Sequence, residues 1–118
     1  MEKATALLDV NVLIALLDPQ HVHHEICHGW LASRGDAPWA SCAITQNAVL
    51  RILGNPRYPN SPGPPASVAP HLDSLVGHPN HQFWESNPSL LALAKHHGGT
   101  LATLDQRIQV KEGEHGWS

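Results

Sequence analysis

The chain has 118 residues, of which 42% are hydrophobic and 14% charged, an ordinary composition for a globular domain. Seven Lys and Arg residues against ten Asp and Glu residues give a formal net charge of −3. This balance argues against a general electrostatic nucleic-acid binder, which needs a basic face.

The chain has no apolar run long enough to span a membrane. Its N-terminus, MEKATALLDVN, lacks the cationic and apolar regions of a secretory leader. No repeat or change of composition divides the sequence. We therefore expect a single cytoplasmic domain that covers residues 1–118 and has no membrane segment.

The first elements are a short strand and two helices. TALLD, residues 5–9, predicts a buried strand, and VNVLIALL predicts a helix that the Asp18-Pro19 pair ends. A second helix is expected from about residue 20 to residue 33. Its inward stripe, at four-residue spacing, consists of Val22, Ile26 and Trp30.

A second strand and a third helix follow. WASCAI, residues 39–44, predicts a strand, and TQNAVLRIL predicts a helix with Thr45 as its N-cap and Gly54 as its stop. The inward side chains of that helix are expected to be Val49, Ile52 and Leu53. The proline-rich residues 55–65 predict a surface loop.

The C-terminal half continues the alternation. SVAPHLDSLVG predicts a helix, HPNHQFWE a weaker strand, and TLATLD, residues 100–105, a last clear strand. The helix in NPSLLALAKHHGG is expected to have Asn87 as its N-cap, Pro88 at its first helical position and Gly98 just past its end. Strands alternating with helices indicate an α/β fold in which helices cover both faces of a parallel sheet.

Two of the strands end in aspartate, at Asp9 and at Asp105. Ligands of open parallel sheets bind at the carboxyl ends of the strands. If the two strands are neighbours, their carboxylates meet at one edge, and like charges so close favour a cation between them. Mg²⁺ or Mn²⁺ suits hard oxygen ligands of this kind.

Each of these residues also has a purely structural interpretation. Asp9 is a good N-cap for the helix that follows it, and Asp105 is a good first residue of a turn. His24 and His28 have a spacing that can hold a metal, but without a third ligand we favour a helix with surface histidines. The cysteines, Cys27 and Cys42, are expected to be buried thiols.

Three separated segments resemble PIN-domain nucleases, specifically the VapC toxins of bacterial toxin–antitoxin pairs. They are LLDVNVLIALLDPQHVHHE, ITQNAVLRILGNPRYP and LALAKHHGGTLATLDQRI, and together they cover nearly the whole chain in order. The resemblance implies a PIN-like three-layer α/β/α sandwich and cleavage of RNA that depends on Mg²⁺ (or Mn²⁺). It also implies a VapB-type antitoxin that covers the acidic site, and a homodimer.

The resemblance assigns roles to individual residues. Asp9 matches the first metal-binding acid of the family, and Asp105 matches the acid that ends the late strand. Small polar side chains that support the site in the family correspond to Asn11 and Thr103. Family members often have a glutamate at the head of the third helix. In this chain the corresponding place falls in TQN (Thr45, Gln46 and Asn47), on Gln46 or on Asn47.

Two arginines in or just after the third helix, Arg51 and Arg57, are candidates for contact with the RNA backbone. A solvated surface is the alternative interpretation for both. Trp30, Trp39 and Trp84 are expected in the core rather than as platforms for base stacking.

The last helix departs from the family pattern. Family members usually open it with an aspartate, as in TDAYLLALA, where this chain has SNPSLLALA. Either Asn87 replaces that aspartate and removes a charge, or a connecting segment near Leu90-Leu91 has been deleted together with the acid. We favour the shortened chain, because FWESNPSL itself resembles the family segment before the connection.

Two functions remain open on this basis. The first is a VapC-type endoribonuclease, and the second is a catalytically impaired PIN fold that binds antitoxin or RNA without cutting. The number of carboxylates at the site distinguishes them. A phosphotransfer receiver is disfavoured, because the paired acids after its first strand and the lysine after its last are absent.

Overall fold

The computed structural model describes residues 4–85, 89–104 and 109–110. Within these ranges the strands are β1 (Ala6–Leu8), β2 (Trp39–Cys42), β3 (His81–Trp84), β4 (Thr100–Thr103) and β5 (Gln109–Val110). The helices are α1 (Val10–Leu17), α2 (His24–Ser33), α3 (Ala43–Leu53), α4 (Pro65–Val76) and α5 (Leu90–His96). None of the helices described is long and apolar enough to cross a bilayer.

The strands form one sheet in the order β3-β2-β1-β4-β5. β1 to β4 are mutually parallel, which confirms the predicted parallel sheet. β5 joins the edge of the sheet as a two-residue antiparallel strand on β4, which the sequence did not predict. The first and last predicted strands are therefore neighbours at the centre of the sheet, with Leu8 opposite Ala102.

The sheet separates two apolar cores, as a three-layer sandwich requires. Alternate strand residues point to opposite faces, so Ala6 and Leu8 pack under α1 to α4 while Leu7 packs under α5. The buried tryptophans confirm the expected core: Trp30 and Trp39 lie in the first cluster and Trp84 in the second. Cys27 and Cys42 are buried free thiols, as expected, and burial raises the pKa of Cys27 to about 11.

The predicted stripe of α2 is partly wrong. The helix begins at His24 rather than near residue 20, so its buried residues are Cys27 and Trp30. Val22 lies before the helix and is 83% exposed, and Ile26 is 47% exposed. Of the predicted stripe, Trp30 alone lies in the core.

The start of α3 also differs from the prediction. Cys42 is the N-cap, because β2 runs directly into the helix, and Thr45 lies one turn further on. The Thr45 hydroxyl accepts a hydrogen bond from the Cys42 backbone N–H at 3.1 Å and donates to the Cys42 carbonyl at 3.0 Å. Val49 and Leu53 are buried as predicted, but Ile52 is 36% exposed.

The predicted N-cap of α5 is wrong as well. Ser89 caps the helix, its hydroxyl accepting from the Ala92 backbone N–H at 3.1 Å, while Asn87 and Pro88 lie outside the described residues. Gly98 follows the helix as predicted and has a φ of 68°, which favours glycine.

Asp18 connects the end of α1 to the proline-rich loop. It is 4% exposed, and its carboxylate accepts hydrogen bonds from the Tyr58 hydroxyl, from Asn60 Nδ2 at 3.1 Å and from the Gln20 backbone N–H at 3.0 Å. Burial acts to raise the pKa of this carboxyl, but the side-chain hydrogen bonds from Tyr58 and Asn60 outweigh burial, so the pKa lies below its usual value. The loop is thus fixed to the helix by a buried anion.

We predict that Asp18→Asn destabilises the fold by about 1–3 kcal/mol at neutral pH. The amide NH₂ of asparagine would face groups that now donate hydrogen bonds to the carboxylate, so at least one donor would lose its acceptor. The folded pKa is lowered, so the carboxylate stabilises the protein above its unfolded pKa of about 3.9. That stabilisation is lost as the pH falls through the folded value. Urea unfolding as a function of pH tests this, and a difference from wild type that stays constant below pH ~4 contradicts it.

Candidate active site at the carboxyl edge of the sheet

Asp9 lies at the carboxyl end of β1 and is also the N-cap of α1. Its backbone N–H donates to the Ala102 carbonyl at 2.9 Å, and its Oδ1 accepts from the Val10 N–H at 2.7 Å. The side chain is half-buried. The strand-end and capping interpretations of Asp9 are therefore both correct. Because a carboxylate has about four acceptor positions, the cap does not use up its capacity to bind a cation.

The end of β4 lies beside Asp9. Leu8 with Ala102 is the last pair of the register, and the Asp9 N–H bonds the Ala102 carbonyl, so Thr103, the next residue of β4, lies close to Asp9 at the same edge. Asn11 Oδ1 accepts from the Leu104 backbone N–H at 3.2 Å and so holds the chain where it leaves β4. Asp105, the next residue along, lies outside the described residues. The structure thus brings Asp9, Asn11 and Thr103 to one edge.

The third predicted group, at the head of α3, is engaged in other contacts. Thr45 is fully buried, and its hydroxyl bonds the Cys42 backbone. Gln46 Nε2 donates to Ser41 Oγ at 2.8 Å, and the Ser41 hydroxyl is 2.7 Å from His81 Nε2. Asn47 is exposed. Gln46 is therefore directed to a partly buried polar chain between β2 and β3, at whose centre Ser41 is fully buried.

The polar chain ends on the ring of His81. The Ser41 hydroxyl accepts from Gln46 and can either donate to Nε2 of His81 or accept from it, since a hydroxyl has one donor and two acceptor positions. Burial lowers the pKa of His81 and the nearby His78 acts in the same direction, while a backbone hydrogen bond with Val76 acts to raise it. Sequence reasoning missed this group, because Ser41 reads as an ordinary strand residue.

Arg51 and Arg57 are exposed. Arg57 belongs to the loop that Tyr58 and Asn60 attach to Asp18, the C-cap of α1. The eight residues of α1 separate that cap from Asp9, a length of about 12 Å at 1.5 Å per residue. The loop that carries Arg57 therefore lies at the opposite end of α1 from Asp9.

The histidine pair of α2 has a structural role. His24 Nδ1 lies 2.7 Å from the Ala15 carbonyl, and His28 Nε2 lies 3.2 Å from the Leu16 carbonyl. Carbonyls only accept, so both rings donate an N–H to the last turn of α1, where carbonyls lack helical partners. The hydrogen bonds support the interpretation of His24 and His28 as structural residues of a helix, and they use one nitrogen of each ring.

The donor set at the Asp9 edge has the chemistry that a hard divalent cation prefers, namely carboxylate and amide oxygens. It is small, however. In residues 4–85, 89–104 and 109–110, no three His, Cys, Asp or Glu side chains are grouped closely enough to hold a metal ion. The described part of the site therefore provides one carboxylate, from Asp9.

Comparison with known proteins places this arrangement in a family. No family model matches the sequence. Ribonuclease VapC44 of Mycobacterium tuberculosis is 41% identical to this chain, in an alignment that covers 89% of each protein. The chain belongs to the VapC ribonuclease family. Ribonuclease VapC39 of the same organism is 32% identical over 88% of this chain and 91% of its own length, and ribonuclease VapC29 is 33% identical over 93% and 92%.

The alignments also show that this VapC family member lacks internal residues. The alignment with VapC44 has 130 positions, while 89% of the 118-residue chain is about 105 residues. About 25 positions of the alignment therefore hold a VapC44 residue that has no counterpart in this chain. The alignments with VapC39 and VapC29, of 126 and 130 positions, also exceed the chain length. This agrees with the interpretation of a shortened chain.

We predict that Ser41→Ala destabilises the protein by about 1–3 kcal/mol, because it leaves the Gln46 amide and the His81 ring without their shared partner. Urea unfolding measures the loss. Ser74→Ala, an exposed position of α4, is the matched control and is expected to unfold at the wild-type midpoint. Equal midpoints for both variants would show that the polar chain contributes nothing to stability.

Proposed function

We propose that this VapC family member is an endoribonuclease toxin that depends on Mg²⁺ or Mn²⁺, with its site at the carboxyl edge of β1 and β4. The observation that supports this most is the pairing of Leu8 with Ala102, which puts the residues that follow both strands side by side. The names of the relatives agree, since VapC44, VapC39 and VapC29 are all ribonucleases.

In this proposal Asp9 and Asp105 are the catalytic, metal-binding acids. Asn11 acts as a positioning residue, since its hydrogen bond to the Leu104 N–H holds the chain one residue before Asp105. Thr103 lines the same edge. A bound Mg²⁺ would supply a nucleophilic water and neutralise charge that develops on the phosphate. The carboxylates also repel phosphate, so the RNA must approach where that charge is compensated.

The negative charge of the site determines how tightly it binds a divalent cation. Asp9 and Asp105 provide two formal negative charges, and Gln46, which stands near the glutamate position of the family, donates to Ser41. Mg²⁺ is bound through carboxylates that offset its dehydration. Two carboxylates are therefore expected to bind it weakly. This favours, as the second candidate, an impaired PIN fold that binds antitoxin or RNA without cutting.

The remaining parts of the proposal follow from the family. We take residues 1–118 as a single PIN-like domain that acts in the cytoplasm, forms a homodimer and is neutralised by a VapB-type antitoxin. The substrate is RNA. Gln46, Asn47 and Asn87 are assigned supporting places at the site, with Thr45 fixing the start of α3, and Arg51 and Arg57 are assigned distant contacts to the RNA backbone.

We predict that Asp9→Asn abolishes Mn²⁺ binding measured by isothermal titration and any RNA cleavage measured on a purified, antitoxin-free chain. Asp73→Asn, which removes a charge from the exposed face of α4, is the matched control and is expected to keep both properties. Metal binding that survives in Asp9→Asn would place the metal elsewhere. Binding by the wild type without cleavage would support the impaired form.

Asn87→Asp tests the two explanations of the missing acid. If Asn87 occupies the place of the family aspartate, a third charge should raise Mn²⁺ affinity by about tenfold or more, as expected for a charged ligand beside a cation. If the acid was lost with a deleted segment, affinity should remain at the wild-type value. Titration of both proteins with Mn²⁺ distinguishes these outcomes.

A further inference from the structure

A second concave surface lies at the end of α1 away from Asp9. It is a cavity of about 250 Å³ between the C-terminal ends of α1 and α3, helix α4 and the proline-rich loop. Its lining includes Leu17, Asp18, Leu53, Asn60, Val68 and His71. None of these residues belongs to the proposed nuclease site.

Among the described residues that line this cavity, Asp18 is the one carboxylate. It is 4% exposed, and it accepts hydrogen bonds from a phenol, an amide and a backbone N–H, while the nearby ring of His21 also acts to lower its pKa. Oδ2 accepts two hydrogen bonds and Oδ1 accepts one, from Gln20. A carboxylate oxygen has two acceptor positions, so Oδ1 keeps capacity for one further donor.

Two helix ends border the cavity. Leu17 is the last residue of α1 and Leu53 the last of α3, and both line it. Their terminal carbonyls already have donors: His24 and His28 donate to the last turn of α1, and Ser61 Oγ donates to the Leu53 carbonyl at 2.6 Å. The pKa of Asp18 is lowered, in agreement with an ionised carboxylate at neutral pH.

The size and walls of the cavity restrict what fits. Small-molecule sites usually enclose about 300–1,000 Å³, so a cavity of about 250 Å³ suits a single side chain better than a whole ligand. Leu17, Leu53 and Val68 offer apolar walls for a methylene stem. Asn60 and His71 are exposed, so the rim is open to solvent.

We propose that this cavity is an anchor pocket for a lysine or arginine side chain of a partner polypeptide. The apolar stem packs between the ends of α1 and α3, and the cationic group donates to Oδ1 of Asp18. The assignment rests on charge complementarity, since the pocket places the Asp18 carboxylate, which keeps one acceptor position on Oδ1, beside apolar walls. Long basic side chains bury their stems against apolar surface in this way.

The experiment is an NMR titration of the full chain with N-acetyl-lysinamide and with N-acetyl-argininamide, following the backbone amides of Gln20, Leu53 and Asn60. N-acetyl-norleucinamide, which has an uncharged apolar stem, is the matched ligand control. We expect saturable shifts at these amides with at least one of the cationic compounds. The uncharged compound should bind about tenfold more weakly or worse, as for loss of a charged hydrogen bond.

Asp18→Asn is expected to weaken cationic binding about tenfold or more, while Asp73→Asn should leave it unchanged. Should Asp18→Asn unfold, the comparison of ligands on the wild type still decides. Equal binding of norleucinamide would overturn the proposal in favour of an apolar occupant. Shifts that map away from these amides, or no shifts with either cationic compound, would overturn it as well.

Discussion

The structure depends most on the central strand β1. Ala6, Leu7 and Leu8 are fully buried, and the strand pairs with β2 on one side and β4 on the other. Its alternate residues enter both apolar cores. A polar residue at any of these positions would lose its hydration without a partner. This three-residue strand therefore separates the two helical layers and pairs directly with β4. It also determines where Asp9, the residue after it, leaves the sheet.

The architecture could be predicted from the sequence because its signals are local and strong. Short apolar runs followed by helical periodicity identified the four parallel strands and the helices between them. Helix starts were harder to predict, since several residues near each start are able to cap. Cys42 and Ser89 take the N-cap positions that Thr45 and Asn87 were expected to occupy. At α3 the direct passage from β2 into the helix decided the choice.

The candidate site could be predicted only where it depends on topology. Two aspartates at strand ends indicated a shared edge, and the pairing of β1 with β4 confirms that the two strands are neighbours. Contacts between distant residues gave no comparable signal. The bond from Tyr58 to Asp18 joins residues 40 positions apart, and so does the bond between Ser41 and His81. No periodicity or motif in the sequence identifies either pair as a contact.

The two faces of the sheet are covered unequally, and this affects how cooperatively the domain unfolds. One face carries four helices, whereas the described covering of the other is the seven-residue helix α5, anchored chiefly by Leu93 and Ala94. So short a helix has little intrinsic stability and depends on its packing. We therefore expect α5 to belong to a foldon that opens before the rest of the domain. Because α5 leads directly into β4, each such opening would also loosen the strand that carries the chain to Asp105.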